Sequence, residues 1–155
     1  MSTTFLKLLL LSITLISIQT VDTEVKGTIN CTFFATLGEE TKILGDFFTK
    51  PSQIEIIVND KEKIDFTNSY TFPNEGLNKI SFTVFDNLNL DYMFEDVPNL
   101  KSVIMNSDSK SKITSMKRTF ENTKNLNTFV LKGFDTSEVK EMKKLFFNSF
   151  NVFKI

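Results

Sequence analysis

The pattern that decides the fold occurs in residues 100–105, which read LKSVIM, and again in residues 126–131, which read LNTFVL. The two stretches lie 26 residues apart, and a shorter stretch at residues 152–155 follows at the same spacing. Related stretches at residues 77–82 and, more weakly, at residues 51–56 extend the series towards the N-terminus. Their apolar positions alternate as in a strand. Self-similarity at a fixed period of this size predicts a stacked repeat architecture.

Between these strands, a second apolar pattern has the spacing of a helix. Residues 113–120 place apolar side chains at i, i+3 and i+7, and residues 139–146 repeat that spacing one period later. Such spacing puts the three side chains on one side of a helix. Asp135 precedes the second copy, and Glu138 follows it by three residues, as in a capping box. The repeat unit is therefore predicted to be a strand, a short capped helix and an asparagine turn.

A strand followed by one short helix cannot bury its apolar face alone, so we expect the units to stack. The expected fold class is α/β, a short leucine-rich-repeat solenoid with a parallel β ladder and short helices on its convex side. The repeat domain is predicted to span residues 51–155 with about five units, the last one incomplete. Residues 21–50 are predicted to form an N-terminal cap segment.

A longer motif occupies residues 134–146, Phe-Asp-Thr-Ser-x-Val-x-x-Met-x-x-x-Phe, and the earlier copies repeat it less completely. This motif resembles the repeat of BspA-like leucine-rich-repeat surface proteins of bacteria and protists, and the resemblance covers roughly half of the chain. It implies an exported or surface-displayed protein that is associated with adhesion and partner binding. It carries over no catalytic residue, because the motif is structural. Members of that family usually have many more copies and an attachment to membrane or wall, so this chain departs from them in size.

Residues 1–20 have the outline of a secretory signal peptide. A lysine at position 7 precedes an apolar run, and polar residues resume at Gln19. The run has about 11 residues against the roughly 20 of a spanning helix, which favours a cleaved leader over an anchor. The mature chain is therefore expected to be secreted or on the cell surface, without a membrane span. Export also makes Asn30, in the triplet Asn30-Cys31-Thr32, a candidate glycosylation site in a eukaryotic host.

The composition excludes most familiar enzyme chemistry. The chain has no His, no Trp and a single cysteine, Cys31. It therefore has no histidine base or ligand, and one cysteine forms neither an internal disulfide nor a zinc site. Cys31 is predicted to be a buried small apolar residue rather than a reactive thiol or one half of an intermolecular disulfide. Neighbouring carboxylates such as Glu39 and Glu40 should diverge as surface charges. We predict that the protein is not an enzyme and uses no cofactor or metal.

Partner binding is expected on the face of the strands that points away from the helices. Alternation along each strand places one set of side chains there. The predicted contact residues are Lys79, Ser102, Ile104, Thr128, Val130 and Lys154. Ile104 and Val130 would be exposed apolar neighbours, and the expected ligand is a protein or a glycan.

Charge is distributed unevenly along the chain. Residues 1–100 hold 7 Lys and 14 acidic residues, whereas residues 101–155 hold 11 basic and 5 acidic residues. Two basic pairs one period apart are predicted to form a basic column on the convex side, Lys117 with Arg118 and Lys143 with Lys144. A solvated surface is the simpler interpretation; the alternative is an anionic partner such as an acidic glycan, held less tightly as salt rises. Nucleic acid is not an expected partner, because an exported protein with an acidic half rarely meets it.

The C-terminal end of the predicted ladder, residues 146–155, contains no capping element. Its edge is therefore expected to expose unpaired backbone groups and apolar side chains. Two functions follow from these patterns. The first is a secreted or cell-surface binding protein, non-catalytic, that mediates adhesion or an interaction with a protein or glycan. The alternative is a secreted structural component that self-assembles through the uncapped edge.

Overall fold

Alternating apolar residues form the strand at the centre of the fold, β1 (Gly27–Ala35). The computed structural model describes residues 24–149 and residue 151. In it, Ile29, Cys31 and Phe33 of β1 point into the core and are at most 2% exposed. The intervening side chains are half-buried on the other face of the strand. The predicted burial of Cys31 is confirmed.

Nine further strands follow β1 in the described part of the chain, and one turn of 3-10 helix, Pro51–Gln53, precedes β3. The strands are β2 (Glu40–Lys42), β3 (Ile54–Val58), β4 (Glu62–Ile64), β5 (Ser69–Thr71), β6 (Gly76–Val84), β7 (Leu88–Asn89), β8 (Leu100–Asn106), β9 (Ile113–Ser115) and β10 (Thr128–Lys132).

Six of these strands form one mixed sheet, in the order β10-β8-β1-β6-β3-β4. Neighbouring strands are antiparallel, except for β8 and β10, which are parallel. Outside this sheet, β2 pairs with β5 and β7 pairs with β9. One face of the six-stranded sheet covers the core. We call the other face, on which Thr32, Ser81 and Ile104 lie, the open face.

The predicted leucine-rich-repeat solenoid is wrong. The strands expected from the repeat exist as β6, β8 and β10, but only β8 and β10 form a parallel pair, with Val103 opposite Phe129. β1 lies between β6 and β8, so that Cys31 pairs with Ile80 on one side and with Val103 on the other. The segment expected to form an N-terminal cap thus supplies a central strand. Its alternating residues bury one face equally well in an antiparallel sheet, and alternation does not specify the partner.

The predicted helices are also wrong, since the described residues contain no α-helix. The corresponding sequences form three ribbons of successive turns: the first ribbon (residues 90–97), the second ribbon (residues 116–123) and the third ribbon (residues 142–149). In the first ribbon, the amide of Met93 donates to the carbonyl of Leu90, three residues earlier. Tyr92 and Asp96 have positive φ angles of 64° and 54°. A left-handed residue every four positions prevents a helix and favours repeated turns.

The three ribbons lie side by side and are joined by backbone hydrogen bonds. The amide of Tyr92 donates to the carbonyl of Lys117 at 3.0 Å, and the amide of Arg118 donates to that of Lys143 at 2.9 Å. Positive φ angles recur at equivalent places in the second and third ribbons, at Arg118, Asn122, Lys144 and Asn148. The 26-residue period of the sequence is therefore the period of stacked ribbons. Asp135, expected to cap a helix, instead accepts from the amide of Ser137 within a turn.

A column of phenylalanines connects the ribbons to the sheet. The rings of Phe94 and Phe120 stack with centroids 5.6 Å apart, and those of Phe120 and Phe146 stack at 5.2 Å. Phe82 of β6 and Phe129 of β10 contact this column from the sheet. The core therefore lies between the six-stranded sheet and the ribbons, as burial of the large apolar side chains requires.

The first ribbon is covered on its N-terminal side by residues 43–48. The amide of Gly45 donates to the carbonyl of Met93 at 2.8 Å. A Cβ atom at Gly45 would overlap the carbonyl oxygen of Tyr92 and would lie 3.1 Å from the amide nitrogen of Glu95. Glycine is thus required for this close approach.

Candidate functional site

The open face holds five of the six residues predicted to contact a partner. Ser102 and Ile104 lie on β8, Thr128 and Val130 on β10, and Lys79 on β6. The strand register places Thr128 beside Ser102 and Val130 beside Ile104. Lys154 lies outside the described residues. The predicted residues are therefore brought onto one face, although the sheet that carries them differs from the one expected.

Two residues of β1 lie among the predicted contact residues and were not predicted to contact a partner. Thr32 pairs with Ser102 on one side and with Lys79 on the other, so it separates these two residues. Asn30 likewise stands between Ile104 and Ser81. The alternation of apolar residues in β1 places both on one face, but it does not show that β1 lies beside β6 and β8.

The centre of the open face is polar and ordered by side-chain hydrogen bonds. Ser81 Oγ donates to Asn30 Oδ1 at 2.7 Å, and Asn30 Nδ2 lies 3.4 Å from Thr28 Oγ1. Ile104 beside them is 38% exposed. Asn30, the predicted glycosylation site, therefore lies on the same face as the predicted contact residues.

At the predicted basic column, the structure gives Arg118 two buried partners. Its guanidinium forms ion pairs with Glu95 of the first ribbon and Glu121 of the second. The side chains of these carboxylates are only 3% and 4% exposed. Buried carboxylates need such a partner, because desolvation without one is costly. Arg118 thus holds two ribbons together.

The other members of the column are partly engaged as well. Lys144 Nζ lies 3.2 Å from Glu121 Oε1, and Lys117 Nζ lies 5.5 Å from the ring centroid of Tyr92. Among the described residues, Lys143 takes part in no ion pair. Much of the positive charge of the column is therefore balanced within the fold, which favours its interpretation as a structural and solvated surface.

Glu95→Gln tests the burial of this carboxylate. Burial raises the pKa of Glu95 above its ordinary value of 4.5, against the opposing attraction of Arg118. The folded protein therefore holds this proton more tightly than the unfolded chain does, and stability is gained as the pH falls from neutral towards about 4.5. The Gln variant lacks this gain. Calorimetry across that range should show the melting temperature of the wild type rising relative to the variant; a relative fall would mean that the attraction of Arg118 outweighs burial.

The third ribbon forms an open edge of the described structure. Met142 and Phe147 are 59% and 50% exposed. The amides of Met142, Lys144, Phe146 and Asn148 have no acceptor among the described residues. The predicted exposure of backbone groups near the C-terminal end thus has a counterpart in residues 142–149, on a ribbon rather than on a strand.

Two features of the described residues, the spacing of potential metal ligands and the burial of Cys31, bear on metal and thiol chemistry. They contain no group of three or more Cys, Asp or Glu residues arranged to hold a metal ion. Burial raises the pKa of Cys31, so its thiol stays protonated and unreactive. None of the helical structure in this part of the chain is long and apolar enough to cross a membrane. The predicted signal peptide, residues 1–20, lies outside the described residues.

The fold and its surfaces define a class of β protein in which stacked turn ribbons cover one face of a mixed sheet and leave the other open. Residues 66–154 match the family described as "Mycoplasma protein of unknown function, DUF285". The chain therefore belongs to this family, and the matched span contains β5 to β10 and all three ribbons. No curated protein and no solved structure matches the chain.

Proposed function

We propose that this chain is a secreted or cell-surface protein that binds a protein or glycan ligand on its open face, without catalysis. The open face is the observation that carries the proposal. It presents hydroxyl and amide groups around two neighbouring aliphatic side chains, Ile104 and Val130, on a hydrogen-bonded sheet. A rigid surface of this kind binds with little loss of conformational entropy.

Export and a relation to BspA-like surface proteins are part of the same proposal. Export rests on the signal peptide predicted in residues 1–20. The relation rests on the motif in residues 134–146, which leads into the third ribbon and ends at Phe146 of the phenylalanine column. The motif thus has a structural role that a whole family of stacked ribbons could share.

The double variant Ile104→Glu, Val130→Glu tests the open face. Two carboxylates would have to be desolvated in any complex that covers these neighbours, so binding should weaken by about tenfold or more. Labelled wild-type chain would be applied to an array of glycans and extracellular-matrix proteins. The variant would then be applied to the array spots that bind the wild type. Val25→Glu, Leu37→Glu is the matched control, because these exposed apolar residues lie outside the sheet face.

Both double variants should keep the melting temperature of the wild type within a few degrees, since surface substitutions usually change stability little. Equal binding by the open-face variant and its control would contradict the proposal, as would the absence of any array feature that retains the wild type. Unfolding of the Ile104, Val130 variant alone would show that these side chains belong to the core.

The second candidate function is association through the third ribbon. It is favoured by the unpartnered amides and the exposed side chains of Met142 and Phe147 at that edge. A row of unsatisfied backbone groups beside apolar surface is a template for pairing with another chain.

A further inference from the structure

The backbone-to-backbone hydrogen bonds between ribbons all run in one direction, from the amides of one ribbon to the carbonyls of the next. The amide of Phe94 in the first ribbon donates to Thr119 O in the second at 2.9 Å, and the amide of Phe120 in the second donates to Leu145 O in the third at 2.9 Å. The remaining bonds of both interfaces follow the same rule: Leu90 to Ser115, Tyr92 to Lys117, Asp96 to Glu121, Met116 to Glu141, Arg118 to Lys143 and Asn122 to Phe147. Each ribbon therefore accepts on its N-terminal side and donates on its C-terminal side.

On the donating side of the third ribbon, the carbonyls of Met142, Lys144 and Phe146 are already used by amides of the same ribbon. In the third ribbon, Met142 O accepts from the amide of Leu145 at 3.2 Å, and Lys144 O accepts from the amide of Phe147 at 3.2 Å. The carbonyls of Leu145 and Phe147 face the second ribbon and accept from it. What remains at the outer side is the row of four amides, which have no acceptor in the described part of the chain. This differs from the edge of a β-strand, where donors and acceptors alternate.

Side chains at the same edge continue the columns of the stack. Asn148 Nδ2 donates to Asn122 Oδ1 at 2.9 Å, and Asn122 Nδ2 donates to Asp96 Oδ1 at 2.6 Å. Asn148 Oδ1 accepts from no described residue. The ring of Phe146 stacks on Phe120 on its inner side. The outer side of the third ribbon therefore presents backbone amides, an asparagine side chain and a phenylalanine ring, the same groups through which the second ribbon binds the third.

Two copies of this chain do not satisfy that edge. If two third ribbons met edge to edge, amide donors would oppose amide donors. Head-to-tail joining would require the accepting side of the first ribbon, but Gly45 already donates to Met93 O there, and residues 43–48 cover that side.

We propose that the third ribbon docks a further ribbon of the same repeat, from outside the described residues, which presents its row of carbonyls to the four amides. An aromatic ring of the partner stacks on Phe146, and an amide side chain pairs with Asn148. The inference rests on the second candidate function and deepens it, because it identifies the chemistry of the partner. The two ribbon interfaces within the chain provide its geometry.

The test uses the full chain and a synthetic peptide of residues 112–125 as the probe. In the protein this segment carries the carbonyl row that receives the first ribbon. Amide exchange of the isotope-labelled chain would be followed by NMR as the peptide is added to millimolar concentration. At saturation, the amides of Met142, Lys144, Phe146 and Asn148 should exchange about tenfold more slowly. Those of the second ribbon, already bonded, should not change.

A peptide with Phe120→Ser is the matched control, and it should protect these amides much less. Unchanged exchange with the wild-type peptide, or equal protection by both peptides, overturns the proposal. Sedimentation of the chain alone distinguishes the second candidate function, association through the third ribbon, from the proposed identity of the partner. Concentration-dependent association that protects the same four amides would show that the occupant is a second copy, so that the edge function stands and the proposed partner fails. If neither peptide nor self-association protects them, both fail.

Discussion

Phe120→Ala is expected to lower the free energy of unfolding by about 3 to 5 kcal/mol. Phe120 is fully buried and lies at the junction of the ribbons and the sheet. Its ring stacks between Phe94 and Phe146, with interplanar angles of 10° and 7°, and contacts Phe129 at a centroid distance of 5.0 Å. Truncation would remove three aromatic contacts and leave a cavity that the rigid ribbons cannot close.

Urea denaturation of the wild type and the variant would measure this loss. Phe34→Ala is the control, because this ring lies on the open face and is 44% exposed. Its loss should be about 1 kcal/mol or less, as for exposed positions in general. Similar losses for the two variants would mean that the column of rings is not a central part of the core.

Gly45→Ala is expected to destabilise the fold by about 3 kcal/mol, at the upper end for an added methyl group. The new Cβ would overlap the carbonyl oxygen of Tyr92, a backbone atom that cannot rotate away. It would also crowd the amide nitrogen and carbonyl oxygen of Glu95, at 3.1 and 3.2 Å. Residues 43–48 would have to move off the first ribbon, and the hydrogen bond from Gly45 to Met93 O would be lost.

Gly38→Ala provides the comparison for this prediction. Gly38 has a φ angle of 76°, so alanine there costs about 1 to 2 kcal/mol through the backbone alone. No atom lies within 4 Å of its added Cβ. Thermal unfolding should therefore rank Gly45→Ala as the more damaging change, with increased exchange of backbone amides in the first ribbon. The reverse ranking would show that residues 43–48 do not pack tightly against that ribbon.

Local patterns of the sequence located the longer strands of the repeat, because alternation of apolar residues is a local property, but they placed a helix where β9 lies. The positions of β6, β8 and β10 follow from the repeat. The order of the strands does not follow, since alternation fixes which face is buried and not which strand is the neighbour. The position of β1 between β6 and β8 depends on contacts between residues far apart in the sequence, which local patterns do not reveal.

The ribbons show why spacing alone misled the helix prediction. Apolar residues four positions apart, such as Met116 and Phe120, face one side of a helix, but they also face one side of a ribbon with two turns. The two structures differ in the φ angles of Arg118 and Asn122, which are 54° and 61°. A glycine at such places would have indicated a turn, whereas arginine gives no sign of a left-handed backbone.

The open face was predicted more successfully than the charged surface. Alternation along β8 and β10 correctly placed their outward residues together. By contrast, the pairing of Arg118 with Glu95 and Glu121 was missed, although the two glutamates occupy the same position of successive repeats. Comparing the charge at each repeat position, rather than looking for runs of basic residues, would have revealed this pair of carboxylates beside the predicted column.

Scalar coupling across hydrogen bonds in the isotope-labelled chain tests the stacked ribbons most directly. The structure predicts a cross-peak between the amide nitrogen of Arg118 and the carbonyl carbon of Lys143, 25 residues apart in the chain, because these groups are joined at 2.9 Å. It predicts a second one between Phe120 and Leu145. A cross-peak between the amide nitrogen of Phe120 and the carbonyl carbon of Met116 is the pattern of an α-helix. It would show that residues 116–123 do not form a ribbon that is hydrogen-bonded to the third one.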